Sequence, residues 1–528
     1  MGSEHDWVVR NGQVIDGTGR PAFVADVALV GDRISAIGPT VGEGKQILDA
    51  AGLIVAPGFI DMHSHSAAGN ILEPRPESHL TQGVTTEVGG NCGSSFAPRV
   101  AAEAEDPETR YFARFGYRPT WRTLGEMLTL LEEGGLLTNF LTYVGQGTVR
   151  GVVMGWEERP PTPEELRAMQ REVEQALEEG AWGLSTGLIY PPGCYARPEE
   201  IVALAQVAAR RGGIYATHLR NEGDYLLLAL TEAIEIGRQA EIPVQVSHHK
   251  AVGKANWGKV EQTLAQMEAA RAEGVEITCD QYPYLAGSTT LKTLLPPWAH
   301  AGGTEALLER LRDPDTRTRL TAELSARFPQ EEDWQRVFVS EVVTEARKDC
   351  EGRNLWEIAQ AEGVPPVEAL FQLLLEDEAQ TGMISFGMCE ADVEMVMRYP
   401  GTMIGADAMA RATKGPLRHG KPHPRTFGTF ARILGEYTRE RGLLTWEEAI
   451  RKMTSQPAEK LGLPQRGVLR PGYFADLVVF DPHTIRDQAT YADPYQLAVG
   501  LRAVFVNGKL ALQDGQLTGE LAGRVLRK

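Results

Sequence analysis

The sequence predicts an α/β protein: a (β/α)8 TIM-like barrel, a small discontinuous β-sandwich, and an insertion before the last barrel strand. Three observations carry this. Eight short apolar segments alternate with amphipathic helical stretches through the middle of the chain. Two β-textured regions stand at its opposite ends, and one long charged segment breaks the alternation late in the chain. With 528 residues, 42% of them hydrophobic and 23% charged, there is material for a barrel of ordinary size and a companion domain.

The first region, residues 6 to 56, is a run of short strands. DWVVRNGQVIDGTG, ADVALVGDRISAIGP and KQILDAAGLIVAPG are apolar-rich and separated by Asn-Gly, Gly-Thr-Gly and Gly-Asp turn signals. The C-terminal stretches GVLRPGYFADLVVFDP and LRAVFVNGKLALQDGQLTG have the same texture. Residues 1–57 and 465–528 are therefore expected to meet as one β-sandwich. Residues 58–464 form the barrel, with an insertion over about 285–382 rich in helical, charged sequence such as TEALLERLRDPDTRTRLTAELSARF. The barrel strands are expected in IVAPGFID, GVTTEVGGNC, TNFLTYVGQG, AWGLSTGLIY, GGIYATHL, IPVQVSHH, VEITCDQY and TMIGAD. Between them, PEEIVALAQVAARR and VEQTLAQMEAARAEG carry apolar residues at helical spacing.

Composition excludes several classes. A net charge of −18 argues against a nucleic-acid or anionic-membrane partner. Five scattered cysteines do not form a disulfide pattern. The N-terminus lacks a basic segment followed by an apolar one, and no uncharged apolar run approaches the ~20 residues that span a bilayer. The expectation is a soluble cytoplasmic protein.

In such a barrel, chemistry gathers where the strands end. The first strand ends DMHSH, with His63 and His65 two residues apart and so on one face if extended. The second ends GGNC at Cys92, the fifth ATH at His218, the sixth SHHK at His248, His249 and Lys250, and the last IGAD at Asp407. His249 faces away from His248 on an extended chain and is assigned a structural role. Each remaining residue alone has an ordinary structural explanation. Together, four of the eleven histidines, a cysteine and an aspartate in phase at strand ends point to a metal site. Imidazole, thiolate and carboxylate ligands suit zinc.

These residues resemble the amidohydrolase superfamily and, within it, the D-aminoacylase and N-acyl-D-amino-acid deacylase family. The resemblance rests on PGFIDMHSHS, GVTTEVGGNCGSSFAP, GLSTGLIYPPG, THLRNEG, QVSHHKAVGKANWGK, DQYPYLAGSTTL, HPRTFGTFARILG and GVLRPGYFADLVVFDP, which span nearly the whole chain. Many amidohydrolases carry a metal-bridging lysine after strand four; GLSTGLIYPPG has none, and the cysteine after strand two is used in its place in this branch. The resemblance implies that Cys92, His218 and His248 hold one tight zinc. His63 and His65, sharing Cys92, would form a second, weaker site, with Asp407 beside the metal as general base and acid. It implies hydrolysis of small N-acyl-D-amino acids to a carboxylate and a free D-amino acid, with Lys250, Tyr282, Ser288 and Arg425 binding the substrate carboxylate and Tyr190 lining the pocket. Arg418 is the competitor to Arg425, because a Gly/Pro-rich stretch lengthens the Asp407–Arg425 spacing. The alternative activity is hydrolysis of a cyclic amide, of the hydantoinase or dihydroorotase kind, which the absent lysine and the presence of Cys92 disfavour.

Overall fold

A computed structural model describes residues 5–73, 75–100 and 107–528. The N-terminal region forms five strands, because the Gly-Asp and Ala-Gly turns divide the three apolar stretches further. They are β1 (His5–Val14), β2 (Phe23–Val30), β3 (Arg33–Gly38), β4 (Gly44–Asp49) and β5 (Ile54–Pro57). The barrel follows as β6 (Phe59–Asp61), β7 (Val84–Gly89), β8 (Asn139–Thr142), β9 (Val144–Gly145), β10 (Gly183–Gly187), β11 (Ile214–His218), β12 (Val244–Val246) and β13 (Ile277–Gln281). A small sheet comes next, β14 (Ala286–Thr290), β15 (Val337–Glu341) and β16 (Gly382–Phe386), and then the last barrel strand β17 (Thr402–Ile404). The C-terminal strands are β18 (Leu477–Phe480), β19 (Leu501–Val506), β20 (Lys509–Gln513) and β21 (Gln516–Leu517).

The barrel strands pair in parallel in chain order. β8 and β9 are one strand interrupted at Tyr143, whose N–H donates to Gly89 O at 3.1 Å. The ring closes between the last strand and the first: Met62 N donates to Ile404 O at 3.1 Å, and Ser64 bridges Ala408 in parallel. The strands of a ring clad in helices are covered on both faces. Accordingly β6, β7, β8, β10, β11, β12 and β17 are buried at every position. Two of the intervening helices, Leu124–Gly134 and Pro163–Glu178, begin on capping boxes. Thr162 and Glu165 form a capping box with Pro163 at the first turn, and the helix Pro163–Glu178 lays Met169, Val173, Ala176 and Leu177 on the barrel.

The chain ends share one nine-stranded sheet in which β18 pairs antiparallel with β5, so the two terminal regions meet directly. β1 turns a corner within it: its first half pairs with β4 and its end with β5. At the far edge Arg33 bridges Phe474, just before β18, and the sheet rolls onto itself around Val27, Leu29, Leu477 and Phe505. The insertion differs from the helical expectation by containing the antiparallel sheet β14–β16–β15. Its three five-residue strands lie too far apart in sequence to make a visible alternating pattern. Its helices surround a separate apolar core that includes Leu311, Leu355 and Phe371.

Between the helices Gln146–Met154 and Pro198–Arg210, Arg150 is fully buried against Glu200, which also accepts from Gln146 Nε2 at 3.1 Å. Glu200→Ala leaves that guanidinium buried without its partner. A loss of ~3–5 kcal/mol is expected, read as a lower calorimetric melting temperature; an unchanged melting temperature would show that the cation finds solvent.

Candidate active site

The upper ends of the strands converge on a buried sulfur. Cys92 Sγ lies 3.3 Å from His63 Nε2, 3.5 Å from His248 Nε2 and 3.8 Å from His218 Nδ1. On the other side, Asp407 Oδ1 is 3.4 Å from His63 Nε2 and 3.1 Å from His65 Nε2. The ligand atoms fall into overlapping triplets, His63–His65–Cys92, Cys92–His218–His248 and His63–His248–Asp407, each within 4.8 Å of one another. Sulfur, imidazole nitrogen and carboxylate oxygen at these separations fit zinc.

The backbone is bent to make this convergence. Cys92, His248 and Asp407 have φ of 52°, 36° and 50°, in the left-handed region that costs a non-glycine residue ~1–3 kcal/mol. Hydrogen bonds hold two of these turns. His248 N donates to Asp280 Oδ1 at 2.7 Å, and Asp407 N donates to His63 O at 2.7 Å. Glycine supplies the space. A Cβ at Gly187 would lie 2.1 Å from the Cys92 carbonyl oxygen, and one at Gly405 would lie 2.5 Å from His63 Cβ.

Carboxylates surround the ligands. Asp280 Oδ1 is 3.1 Å from His63 Nδ1 and its Oδ2 accepts from Gln245 at 2.8 Å, which fixes the ring that presents Nε2 to the sulfur. Glu222 lies between His248 Nδ1 at 3.1 Å and His218 Nε2 at 3.7 Å and pairs with Lys250 Nζ at 2.7 Å. Asp61 joins the first and last strands by accepting from His63 N at 3.0 Å and Ala406 N at 2.9 Å. These residues were not singled out from sequence. Glu222 and Asp280 lie within the quoted THLRNEG and DQYPY stretches, Glu222 at i+4 from His218, but only the neighbouring strands reveal what each one faces.

The charges are strongly coupled. Burial pushes the Cys92 thiol up, but His63 and His248 outweigh it and hold the thiol well below its ordinary range. Burial pushes His63 down, yet Cys92, Asp280 and Asp407 hold it well above the usual imidazole range. For His248, burial and Lys250 oppose protonation, while Glu222 and Cys92 prevail and raise it to about 9. Burial dominates at His218, which is lowered. Asp407 is also pushed up by burial, but Arg425 and His63 carry it well below the carboxylate range.

Beside these groups opens a cavity of about 510 Å³, lined by His65, Cys92 and Asp407 and by Tyr190, Ser288 and Arg425. Arg425 is buried, pairs with Asp407 Oδ2 at 2.9 Å and donates to Ser288 O at 3.3 Å. Lys250 and Tyr282 are not among the lining residues and stand one layer deeper. The Tyr282 ring lies 4.6 Å from the Arg425 guanidinium and 5.8 Å from Lys250 Nζ. The Tyr282 hydroxyl is buried with no hydrogen-bond partner among the described residues. Tyr190 accepts from Thr289 at 3.2 Å and packs its ring 5.1 Å from His218. Arg418 is exposed, donates to Thr413 O and lies outside the cavity lining. His249 turns away and pairs with Thr263 Oγ1 at 2.7 Å.

Comparison with known proteins gives a consistent set of relatives. The Amidohydrolase family matches residues 46–511. D-aminoacylase of Alcaligenes xylosoxydans xylosoxydans is 37% identical over 524 residues, covering 99% of this chain and 98% of that protein. N-acyl-D-glutamate deacylase of the same organism is 37% identical over 529 residues, covering 100% and 98%. Among solved structures, N-acyl-D-glutamate deacylase from Bordetella bronchiseptica, complexed with zinc and a phosphonate mimic of the tetrahedral intermediate, superposes with a TM-score of 0.85 at 35% identity, covering 99% and 100%. A D-aminoacylase described by its binuclear metal centre superposes at 0.84 with 36% identity, covering 99% and 100%. A D-hydantoinase from Thermus sp., at 16% identity and a TM-score of 0.55 with 99% of each chain covered, shares the fold alone.

Two outcomes follow for the site. Gly187→Ala should drive the Cys92 turn away from the strand and lower zinc bound per chain while far-UV circular dichroism stays unchanged; full zinc occupancy would show that the backbone has room. Zinc must also displace protons from raised imidazoles such as His248, near 9, so affinity should climb with pH between 6 and 9. The slope should approach ~tenfold per unit for each proton displaced, measured by calorimetric titration in buffers of different ionisation enthalpy. A flat profile would refute the protonated imidazoles.

Proposed function

The chain belongs to the amidohydrolase family, and on that premise we propose that it is a zinc-dependent hydrolase of N-acyl-D-amino acids, releasing a carboxylate and a free D-amino acid. The observation that carries this reading is the buried Cys92 sulfur among three imidazoles with Asp407 opposite, at the mouth of a cavity. In this proposal Cys92, His218 and His248 hold the principal zinc, and His63 and His65, sharing Cys92, form a weaker second site. Bound zinc supplies a water acidified toward pKa ~7 and a Lewis acid for the scissile carbonyl.

The protein's own groups do the rest. Asp407 is ionised at neutral pH, because Arg425 and His63 stabilise its charge, so it is ready to accept a proton. Its Oδ2 is occupied by Arg425 and its Oδ1 faces the ligand histidines, which leaves Oδ1 as the atom that takes the proton and returns it to the leaving amine. Arg425, Lys250, Tyr282 and Ser288 receive the substrate carboxylate. Arg425 donates Nη2 to Ser288 O, while Nη1, ion-paired with Asp407, makes no hydrogen bond among the described residues and so can donate to a carboxylate. A buried hydroxyl without a partner costs ~1–3 kcal/mol, which a carboxylate acceptor at Tyr282 would offset. Tyr190 closes the wall over His218.

Hydrolysis of a cyclic amide is the weaker reading. The end of β10, Gly183–Gly187, offers no lysine to bridge two metals, and the hydantoinases share only the fold.

The reading is tested with a panel of N-acetyl D- and L-amino acids, including D-glutamate and D-leucine, with metal measured on the same sample. Turnover of D-substrates with zinc bound is expected; preference for L-substrates, or for hydantoin, would overturn it. Asp407→Asn should lose ~10²–10⁴ in kcat while keeping zinc. Near-normal kcat in that variant would remove Asp407 from the proton transfer.

A further inference from the structure

Glu222 contacts three groups of the site from behind the ligand histidines. It leaves the end of β11 four residues after His218 and reaches back between three groups. Oε1 lies 3.1 Å from His248 Nδ1 and 2.7 Å from Lys250 Nζ, and Oε2 lies 3.7 Å from His218 Nε2. In each histidine the nitrogen facing Glu222 is the one turned away from Cys92 Sγ. Lys250 Nζ is held from the other side by the carbonyl of His248 at 2.9 Å. Nζ also lies 2.8 Å from His248 Nδ1, so Glu222 and the ring and carbonyl of His248 together engage all three lysine donors.

The geometry points to Glu222 as a positioning residue that joins the two halves of the site, orienting the His218 and His248 rings toward the metal and fixing the charge of Lys250 one layer behind the substrate carboxylate. The second half rests on the function proposed above; the first does not. A carboxylate accepting the outer N–H of a ligand histidine selects its tautomer and raises its basicity, and loss of such a partner costs ~10–100-fold in metal affinity. Here one carboxylate stands at hydrogen-bond distance from His248 Nδ1, 3.1 Å, and at ion-pair distance from His218 Nε2, 3.7 Å. Asp280 stands 3.1 Å from His63 Nδ1, so the triplets Cys92–His218–His248 and His63–His65–Cys92 have different carboxylates behind their rings.

The test is Glu222→Gln in the full-length protein, an isosteric change, with Lys250→Met alongside. Zinc affinity is read by competition with a chromophoric chelator, apart from activity. KM and kcat are read for an N-acetyl-D-amino acid and for its α-carboxamide. Glu222→Gln should weaken zinc ~10–100-fold and should also narrow the preference for carboxylate over carboxamide through KM. Lys250→Met should narrow that preference and, although it removes one contact to the His248 ring, should weaken zinc less than Glu222→Gln does, because Glu222 stays in place behind both rings. Thermal melts of both variants confirm that they fold; if Glu222→Gln does not, Glu222→Asp replaces it with the same expectations at smaller size. Wild-type zinc affinity in the glutamate variant would overturn the positioning role, and an unchanged carboxylate preference with weakened zinc would overturn the link to Lys250. Failure of the wild type to hydrolyse N-acyl-D-amino acids would sink the proposed function alone, leaving the zinc measurement to decide the role of Glu222.

Discussion

The contacts between Cys92 Sγ and the nitrogens of His63, His218 and His248, at 3.3 to 3.8 Å, constrain the whole upper face of the barrel. Four titratable groups in an interior of low dielectric cannot stand without counter-charges, because an unpaired buried ion is costly. The molecule answers with a shell of carboxylates on three sides: Glu222 behind His218 and His248, Asp280 behind His63, and Asp407 across the cavity mouth. Each carboxylate is in turn fixed, Glu222 by Lys250, Asp280 by Gln245 and Asp407 by Arg425. Alternating sign from the sulfur outward is what lets so many charges share one buried volume.

Much of this centre is legible in the sequence, for a geometric reason. A barrel strand delivers its last residues to one ring of positions, so His63, His65, Cys92, His218, His248 and Asp407 can be read as neighbours once eight strands are recognised. The outer carboxylates are not legible in that way. Glu222 follows its strand by a short bend, and Asp280 pairs with a histidine 217 residues away; nothing in either stretch marks its partner. Arg425 and Arg418 look alike in sequence, and only the turn into the helix Arg425–Arg432 buries the first while the second stays in solvent. The insertion hides its sheet because three short strands joined by long helical stretches make no period.

That insertion is part of the site. Ser288 on β14, Glu341 on β15 and Gly382 on β16 all line the cavity, so the small sheet is one of its walls. Arg411, four residues past Asp407, pairs with Glu341 at 2.9 Å and ties the loop after the last barrel strand to that wall. Shape in this cavity is therefore set jointly by the barrel, which carries the reacting groups, and by an added unit free to vary around a constant chemistry.

The rolled sheet beside the barrel has a consequence for how the chain reaches its native state. β5, which leads straight into the first barrel strand, borders β18, whose residue Leu477 pairs with Pro57 across 420 residues of sequence. At ~5–20 residues per second of synthesis, the earlier strand waits roughly 20–80 s for its partner to emerge. The apolar edge of β5 and the open side of the unclosed ring are exposed to solvent or to a chaperone for that interval. Pairing with β18 joins segments that flank the whole barrel, so this sheet acts as a clasp that is fastened only after everything between them has been synthesised.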